Sequence, residues 1–268
     1  MSRSFTPTYR VAAAIGRGLM RLVTRPTWLG LAKLPPSGGY LVVGNHVSNA
    51  DGLTLMHMLL AQQIPVKILA KHELFKVPVL GWLLKRTGQV PVYRGSARAT
   101  EALTSARAAL ESGEVVALFP EGTLTRSPRM WPMTAKTGAA RLALATNVPV
   151  IPVGQWGAHA LHRRAGGMVR FWRRPRVAAL VGEPVDLSAW HGRTDKEAYQ
   201  EASVAIMAAI TKLVEELRGQ PAPEQVWDMR TDGDHLDTPP DLDRGWQPRP
   251  IVVAPRPLGD NPPSELSA

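Results

Sequence analysis

The stretch YLVVGNHVSNADGLTLMHMLLA, residues 40–61, places a strand pattern, a polar turn and a helix pattern one after another. Residues 40–44 form a continuous apolar run, which is typical of a strand that is covered on both faces. From residue 52 onward, apolar side chains recur at helical spacing. A buried strand that turns directly into a helix is the building unit of α/β folds.

The same alternation continues along the chain in both directions. Apolar runs typical of strands lie at 66–70, 89–93, 115–119, 148–154 and 177–182, and helical patterns lie at 73–86, 97–112, 134–146 and 195–218. We therefore predict an α/β fold with a mixed, largely parallel sheet flanked by helices, formed by a domain at residues 30–218.

A change of composition marks the end of this domain. The last predicted helix runs into Gly219 and Pro221, a helix-stop signal. Residues 219–268 hold ten of the 24 prolines, and nine acidic against four basic side chains. We predict that residues 219–268 form a disordered tail rich in proline and aspartate.

Composition excludes several kinds of chemistry. The chain of 268 residues has no cysteine, which excludes a disulfide framework, a thiolate nucleophile and an acyl-cysteine intermediate. No apolar stretch reaches the roughly 18 residues that a spanning helix needs, and Arg17 and Arg21 interrupt the apolar run that a secretory signal requires. We expect the protein to stay on the side of the membrane where it is made.

Residues 1–29 contain a basic amphipathic helix pattern. On a helical projection, one sector holds Arg10, Arg17, Arg21 and Arg25, and the other side holds Val11, Ile15, Leu19, Leu22 and Val23. One interpretation is a segment that lies in a membrane interface, with its arginines on anionic headgroups. The alternative is an ordinary surface helix that packs its apolar face on the domain. A second apolar segment, residues 73–86, is either buried or in contact with lipid.

The polar turn at residues 44–52 carries the first candidate for catalysis. His46 and Asp51 lie on a turn between strand and helix, where catalytic groups are often placed. If Asp51 accepts a hydrogen bond from one imidazole nitrogen, the other nitrogen is free to remove a proton from an alcohol. The alternative is that Asp51 only caps the helix that follows.

Two further segments suggest an anion site. FPEGT at 119–123 follows a strand, and the N–H groups of Gly122 and Thr123 can face a phosphate or an oxyanion, although Glu121 then needs a hydrogen-bond donor. Arg94 follows another strand and offers a fixed cationic fork for a phosphomonoester. Lys71 and Lys136 are candidates to complete the cationic pocket. Taken singly, the glycine segment is also a common turn, and each cation is also a common surface group.

The order of these pieces along the chain resembles the 1-acyl-sn-glycerol-3-phosphate acyltransferase family over about residues 30–190. The resemblance implies the glycerolphosphate acyltransferase fold and a catalytic pair formed by His46 and Asp51. It implies a substrate-binding set formed by Arg94, Glu121, Gly122, Thr123, Lys71 and Lys136, and an acyl-binding region at Ile151 and Pro152. The chain departs from the family pattern after Thr123, where it reads Leu124, Thr125 and Arg126.

The resemblance also implies a reaction. It is acyl transfer from acyl-coenzyme A or acyl-carrier protein to the sn-2 hydroxyl of 1-acyl-sn-glycerol 3-phosphate, without a cofactor or a metal, at the cytoplasmic face of the membrane. An acceptor such as a lyso-ornithine lipid, a glycolipid or glycerol 3-phosphate is the alternative. We expect no nucleic-acid partner, although the first 218 residues carry a net charge of +15 (28 basic minus 13 acidic). A membrane-binding scaffold without activity is a third interpretation, which an acyl-transfer assay would test.

Overall fold

The computed structural model describes residues 5–93, 99–166, 168–237 and 242. Six α-helices lie within these residues: α1 (Pro7–Val23), α2 (Asp51–Ala61), α3 (Pro78–Arg86), α4 (Ala99–Glu111), α5 (Gly138–Thr146) and α6 (Lys196–Arg218). Seven strands accompany them: β1 (Arg25–Leu29), β2 (Tyr40–Gly44), β3 (Val66–Lys71), β4 (Val90–Val92), β5 (Val115–Leu118), β6 (Val150–Trp156) and β7 (Arg176–Val181).

All seven strands form one sheet, in the order β1-β7-β6-β2-β5-β3-β4. The five strands from β6 to β4 run parallel to one another. At the other edge β7 runs antiparallel to β6, and β1 pairs in parallel with β7. The predicted mixed, largely parallel sheet flanked by helices is therefore confirmed.

Strand β2 divides its side chains between two apolar cores, because successive residues of a strand point to opposite faces. Leu41 and Val43 pack on the face covered by α4, α5 and α6. Tyr40 and Val42 pack on the opposite face, against the apolar side of α2. Every residue of β2 is buried, as the continuous apolar pattern predicts.

The amino-terminal region differs from its prediction at one point. Residues 25–29, assigned from the sequence to the membrane-interface segment, form β1 and pair with β7 from Arg25 opposite Arg176 to Leu29 opposite Leu180. A five-residue edge strand has too short a pattern to be separated from a preceding helix by periodicity alone. The sheet therefore begins before residue 30.

Helix α1 turns most of its branched aliphatic side chains away from the domain. It contacts the domain through the buried side chains Tyr9, Ala13 and Met20. The apolar side chains that form its exposed stripe are Val11, Ile15, Leu19 and Leu22. One of the two interpretations of this segment was a surface helix that packs its apolar face on the domain. The structure does not show this packing, because the apolar stripe is exposed.

Residues 219–237, assigned from the sequence to a disordered tail, lie on the domain. The N–H of Thr134 donates to the carbonyl of Trp227 over 2.9 Å, and a parallel bridge joins Met133 to Trp227. The buried Arg164 guanidinium donates to the carbonyl of Asp237. The rest of the predicted tail lies outside the described residues, except for Leu242.

Candidate active site

The candidate residues meet at one edge of the sheet because their strands run in parallel. His46 follows the carboxyl end of β2, Phe119 follows that of β5, and Lys71 ends β3. Since β5 lies between β2 and β3, these three chain segments are neighbours at the same edge. Ligands of open α/β sheets usually bind outside the carboxyl ends of the strands.

His46 and Asp51 form a hydrogen-bonded pair. The imidazole Nδ1 lies 3.0 Å from Oδ2 of the carboxylate. Asp51 is fully buried, and His46 is almost so. With Nδ1 engaged by the carboxylate, Nε2 is the ring nitrogen left to exchange a proton with a substrate.

The same carboxylate oxygen also holds the turn in place. It accepts the backbone N–H of Val47 over 2.6 Å and that of Ser48 over 2.7 Å. The helix-capping alternative is not supported, because the residue before α2 is Ala50 and no side chain caps its first turn. Asp51 therefore orients both the imidazole and the backbone that carries it.

Asn45 attaches the start of this turn to the neighbouring strand. Its side-chain amide donates to the carbonyl of Gln155 over 3.0 Å, and its side-chain oxygen accepts the Gln155 N–H over 2.7 Å. On the far side of His46, the Ser48 hydroxyl donates to the carbonyl of His162 over 2.6 Å. These bonds fix the turn from two directions.

Glu121 is buried below the turn rather than exposed to an acceptor. Its carboxyl accepts the N–H of His46 over 2.8 Å and, more weakly, the N–H of Met133 over 3.4 Å. Burial raises the pKa of Glu121 to about 8, although these two backbone hydrogen bonds act to lower it. The donor that the sequence analysis required for Glu121 is thus the backbone of the candidate base itself.

Phe119 connects the pair to a pocket. Its ring stacks on the His46 imidazole with the centroids 4.2 Å apart and the planes 13° from parallel. It also lines a pocket of about 310 Å³ whose other walls come from β3, β4, α4 and the start of α5. Phe119 therefore belongs both to the stack with His46 and to the lining of this pocket.

Among the residues that the structure describes, three cations line the pocket: Lys71, Lys136 and Arg141. Gly122 lies beside Lys136 in a left-handed conformation with φ of +68°, and a Cβ there would lie 3.0 Å from Cδ of Lys136. The absence of a side chain at Gly122 lets the lysine stem pass directly over the backbone. The pocket thus combines a cationic rim with the apolar side chains Leu69, Leu103 and Leu118.

Not all of the predicted site residues enter this pocket. Thr123 accepts a long hydrogen bond of 3.4 Å from Nη2 of Arg126, whose Nε lies 3.2 Å from Oδ1 of Asp234. Ile151 and Pro152 are buried in β6 opposite Val42 and Val43, and they are not pocket-lining residues. Arg94 lies outside the described residues.

The described residues hold no group of three or more histidine, aspartate or glutamate side chains that could bind a metal ion. The described part of the site provides a candidate base, its orienting carboxylate and nearby cations. Such a set can deprotonate a hydroxyl and bind an anionic group.

Comparison with known proteins gives a family match that covers the candidate site. The sequence profile of the acyltransferase family matches residues 25–156. That range contains every predicted site residue, including His46 and Asp51. The chain carries an acyltransferase-family domain. Its core is the parallel part of the sheet, with the His46 turn at the carboxyl edge.

Curated relatives are similar to the acyltransferase domain. A chloroplastic 1-acyl-sn-glycerol-3-phosphate acyltransferase of Brassica napus is 36% identical over 130 residues, which is 48% of this chain and 36% of the relative. The 1-acyl-sn-glycerol-3-phosphate acyltransferase of Bacillus subtilis is 27% identical over 184 residues, which is 69% of this chain and 85% of the relative. The chain spans less than half of the length of the first three curated relatives.

A solved structure supports the fold. The 1-acyl-sn-glycerophosphate acyltransferase PlsC from Thermotoga maritima aligns with a TM-score of 0.59 and 24% sequence identity. The alignment covers 80% of this chain and 83% of that one. The arrangement of sheet and helices is thus shared across most of both molecules.

Sequence reasoning missed two residues of the site. Phe119 follows β5 directly, and its place at the carboxyl end of a strand was the available signal. Arg141 lies on α5 and reaches the pocket, with its guanidinium 5.1 Å from the Tyr199 ring centroid. Its helical pattern contains no feature that separates it from a solvated surface arginine.

Proposed function

We propose that the protein transfers a fatty acyl chain from a thioester to the sn-2 hydroxyl of 1-acyl-sn-glycerol 3-phosphate and thereby forms phosphatidic acid. The observation that carries this proposal is the His46–Asp51 pair, held 3.0 Å apart in an acyltransferase-family domain beside a cationic pocket. The names of the curated relatives support the choice of acceptor.

The reaction proceeds by direct attack of the acceptor. Nε2 of His46 takes the proton of the acceptor hydroxyl while its oxygen attacks the thioester carbonyl. The tetrahedral intermediate collapses and the carbon–sulfur bond breaks. His46 then gives the proton that it took from the hydroxyl to the departing thiolate. Because the acceptor attacks the thioester directly, the scheme passes through no acyl-enzyme intermediate. This agrees with a chain that contains no cysteine to carry an acyl group.

The cationic pocket binds the acceptor phosphate. Lys71 and Lys136 line it from two different chain segments, β3 and the loop before α5, so both charges are available to one ligand in the pocket. Arg141 adds a third charge that the sequence analysis did not identify. The leucine side chains of the same pocket suit the apolar part of a lyso-lipid.

The protein acts at a membrane surface. No helix in the described ranges combines the length and the apolar character needed to cross a bilayer. Helix α1 instead exposes a stripe of apolar side chains, and α3 exposes Val79 and Trp82 next to basic residues at its end. We assign α1 to the interface of the cytoplasmic leaflet, with acyl-coenzyme A or acyl-carrier protein supplied from the adjacent solution.

The deciding experiment incubates the purified full chain in mixed detergent micelles with a radiolabelled acyl thioester and a panel of acceptors. The panel contains 1-acyl-sn-glycerol 3-phosphate, glycerol 3-phosphate, a lyso-ornithine lipid and monoacylglycerol. We expect the label in phosphatidic acid. Label in the product of another acceptor would show that this acceptor, and not 1-acyl-sn-glycerol 3-phosphate, is the substrate. No label in any product would overturn the proposed activity.

A matched variant tests the assignment of the base. His46→Ala should lower turnover by about 10² to 10⁴, which is the range that a positioned base contributes. The thermal unfolding midpoint should change little, because the described contacts of Asp51 with Val47 and Ser48 remain. Near-normal turnover in this variant would eliminate His46 as the base.

A further inference from the structure

The segment MVRFW, residues 168–172, presents an unusual set of exposed side chains. Met168, Phe171 and Trp172 are 76%, 57% and 59% exposed. Phe171 and Trp172 stand edge to face, with ring centroids 5.2 Å apart, so they form one aromatic protrusion. Large apolar side chains clustered at a surface usually mark a contact with another body.

The chain segment that carries this protrusion is basic. Residues 163–176 contain six arginines and no acidic residue. Arg173 and Arg174 follow the aromatic pair directly and are exposed. Arginine beside tryptophan and phenylalanine is the composition of protein segments that lie in the interface of an anionic bilayer.

The protrusion is continuous with the exposed stripe of α1. A guanidinium nitrogen of Arg174 donates to the carbonyl of Arg21, in the last turn of the helix, over 3.2 Å. The short 3₁₀ turn Phe171–Arg173 also contacts α1. Leu22, beside Arg21, is among the exposed apolar residues of the stripe.

Helix α1 itself separates this protrusion from α3. The amino-terminal end of α1 lines one pocket together with Lys85 and Arg86 from the end of α3. At 1.5 Å per residue, the 17 residues of α1 span roughly 25 Å. The protrusion therefore lies at the opposite end of α1 from α3. A membrane contact at each end of α1 resists tilting of the domain along the helix axis.

We propose that residues 168–174 form a second membrane anchor, which inserts Met168, Phe171 and Trp172 into an anionic phospholipid bilayer beside α1. This inference rests on the membrane association proposed above and adds the surface that sets the orientation of the domain. The apolar side chains enter the acyl boundary, and the following arginines contact lipid phosphates. This second contact lies beside the carboxyl-terminal end of α1, so it adds to the contact that the exposed stripe of the helix makes and limits the orientations of the domain on the bilayer.

The test measures partition of the full chain onto vesicles by co-sedimentation. Vesicles of phosphatidylcholine with 30% phosphatidylglycerol are compared with vesicles of phosphatidylcholine alone. The variant Met168→Ser/Phe171→Ser/Trp172→Ser should bind the anionic vesicles about tenfold more weakly or worse than wild type. Val204→Ser, which changes an exposed apolar side chain on α6, is the matched control and should bind like wild type.

Depth is measured separately with brominated lipids, which quench tryptophan fluorescence on contact. Trp172→Phe should keep vesicle binding and lose a fraction of the quenching. In the triple serine variant, loss of vesicle binding without a change of unfolding midpoint supports the anchor.

Several outcomes would overturn the proposal. One is that the triple serine variant binds anionic vesicles like wild type. Another is that wild type binds neutral and anionic vesicles equally. A third is that wild type forms a dimer, which the triple serine variant abolishes while its vesicle binding stays intact. Acyl transfer in detergent micelles separates this proposal from the proposed function, because the triple serine variant should retain it. A chain that binds vesicles through this segment but transfers no acyl group would refute the activity alone.

Discussion

Nδ1 of His46 lies 3.0 Å from Oδ2 of Asp51, although the two residues are five positions apart in the sequence. On a regular helix such a pair would point about 140° apart. The turn before α2 brings the residues together because the N–H of Asp51 donates to the carbonyl of Ser48, and the carboxylate then accepts three hydrogen bonds from the turn. The geometry of the candidate base thus depends on one buried carboxylate.

Asp51→Asn should therefore lower kcat by about 10² to 10⁴, since an amide holds the imidazole in a different tautomer from a carboxylate. The acceptor KM should change little. Because one buried acceptor would lose part of its hydrogen bonding, the free energy of unfolding should fall by roughly 1–3 kcal/mol. Steady-state kinetics and urea unfolding measure the two effects.

The matched control for stability is Asp195→Ala, which removes the amino-terminal cap of α6, where the carboxylate accepts the N–H of Ala198 over 2.8 Å. It should cost about 1 kcal/mol and leave kcat unchanged. If both variants lose the same fraction of kcat, Asp51 acts through stability and not through the base.

Glu121 should make the stability of the protein depend on pH. Burial raises its pKa to about 8, so the folded state holds a proton that the unfolded state releases above its usual pKa near 4.5. The stabilisation is fully present below pH 4.5 and is lost as the pH rises to about 8, by roughly a few kcal/mol in total. Glu121→Gln, which cannot ionise, should show a flatter profile across this range.

Urea unfolding of both proteins at several pH values between 5 and 8.5 measures the difference. The contribution of other titrating groups is common to the two proteins and cancels in the comparison. Parallel profiles for wild type and Glu121→Gln would show that the carboxyl is ionised in the folded protein throughout the range.

Gly122→Ala should strain the backbone and displace Lys136 in the pocket. The residue has φ of +68°, and a new Cβ would lie 3.0 Å from Cδ and 3.2 Å from Cε of Lys136. We expect a loss of about 1 kcal/mol from the backbone and an increase in acceptor KM from the displaced lysine. Thermal unfolding and acceptor titrations measure these effects.

Gly38→Ala provides the control, because Gly38 has φ of +76° and open space around its Cα. It should lose similar stability and keep its KM. An acceptor KM that rises equally in both variants would show that displacement of Lys136 is not the cause of the increase.

Lys136→Gln should raise the KM for 1-acyl-sn-glycerol 3-phosphate about tenfold, which corresponds to the loss of one charge-assisted contact of about 1.4 kcal/mol. The KM for an uncharged acceptor such as monoacylglycerol should not change. Lys33→Gln removes an exposed ion pair with Glu183 and serves as the surface control. Equal KM changes for charged and uncharged acceptors would remove Lys136 from phosphate binding.

The order of strands and helices was readable from the sequence because burial along one element is a local property. The run at residues 40–44 and the apolar runs after it predicted six of the seven strands, since a strand covered on both faces needs an unbroken apolar pattern. The short edge strand β1 was missed because a five-residue strand beside a helix carries too little pattern.

The site divides in the same way. The spacing of His46 and Asp51 suggested the pair, but only the tertiary structure distinguishes an oriented imidazole from a capped helix, because both alternatives use the same residues. The burial of Glu121 under the His46 backbone joins segments 75 positions apart, and no local pattern records such a contact.

The sequence by itself thus determined the apolar pattern of each element, the absence of a thiol nucleophile and the set of polar groups available at the strand ends. The tertiary structure alone decided which face of α1 meets the domain, which nitrogen of His46 is engaged, and where residues 219–237 lie. The reason is that helical and strand periodicity arises from neighbours within a few positions, whereas the choice of contact partner depends on the packing of segments far apart in the chain.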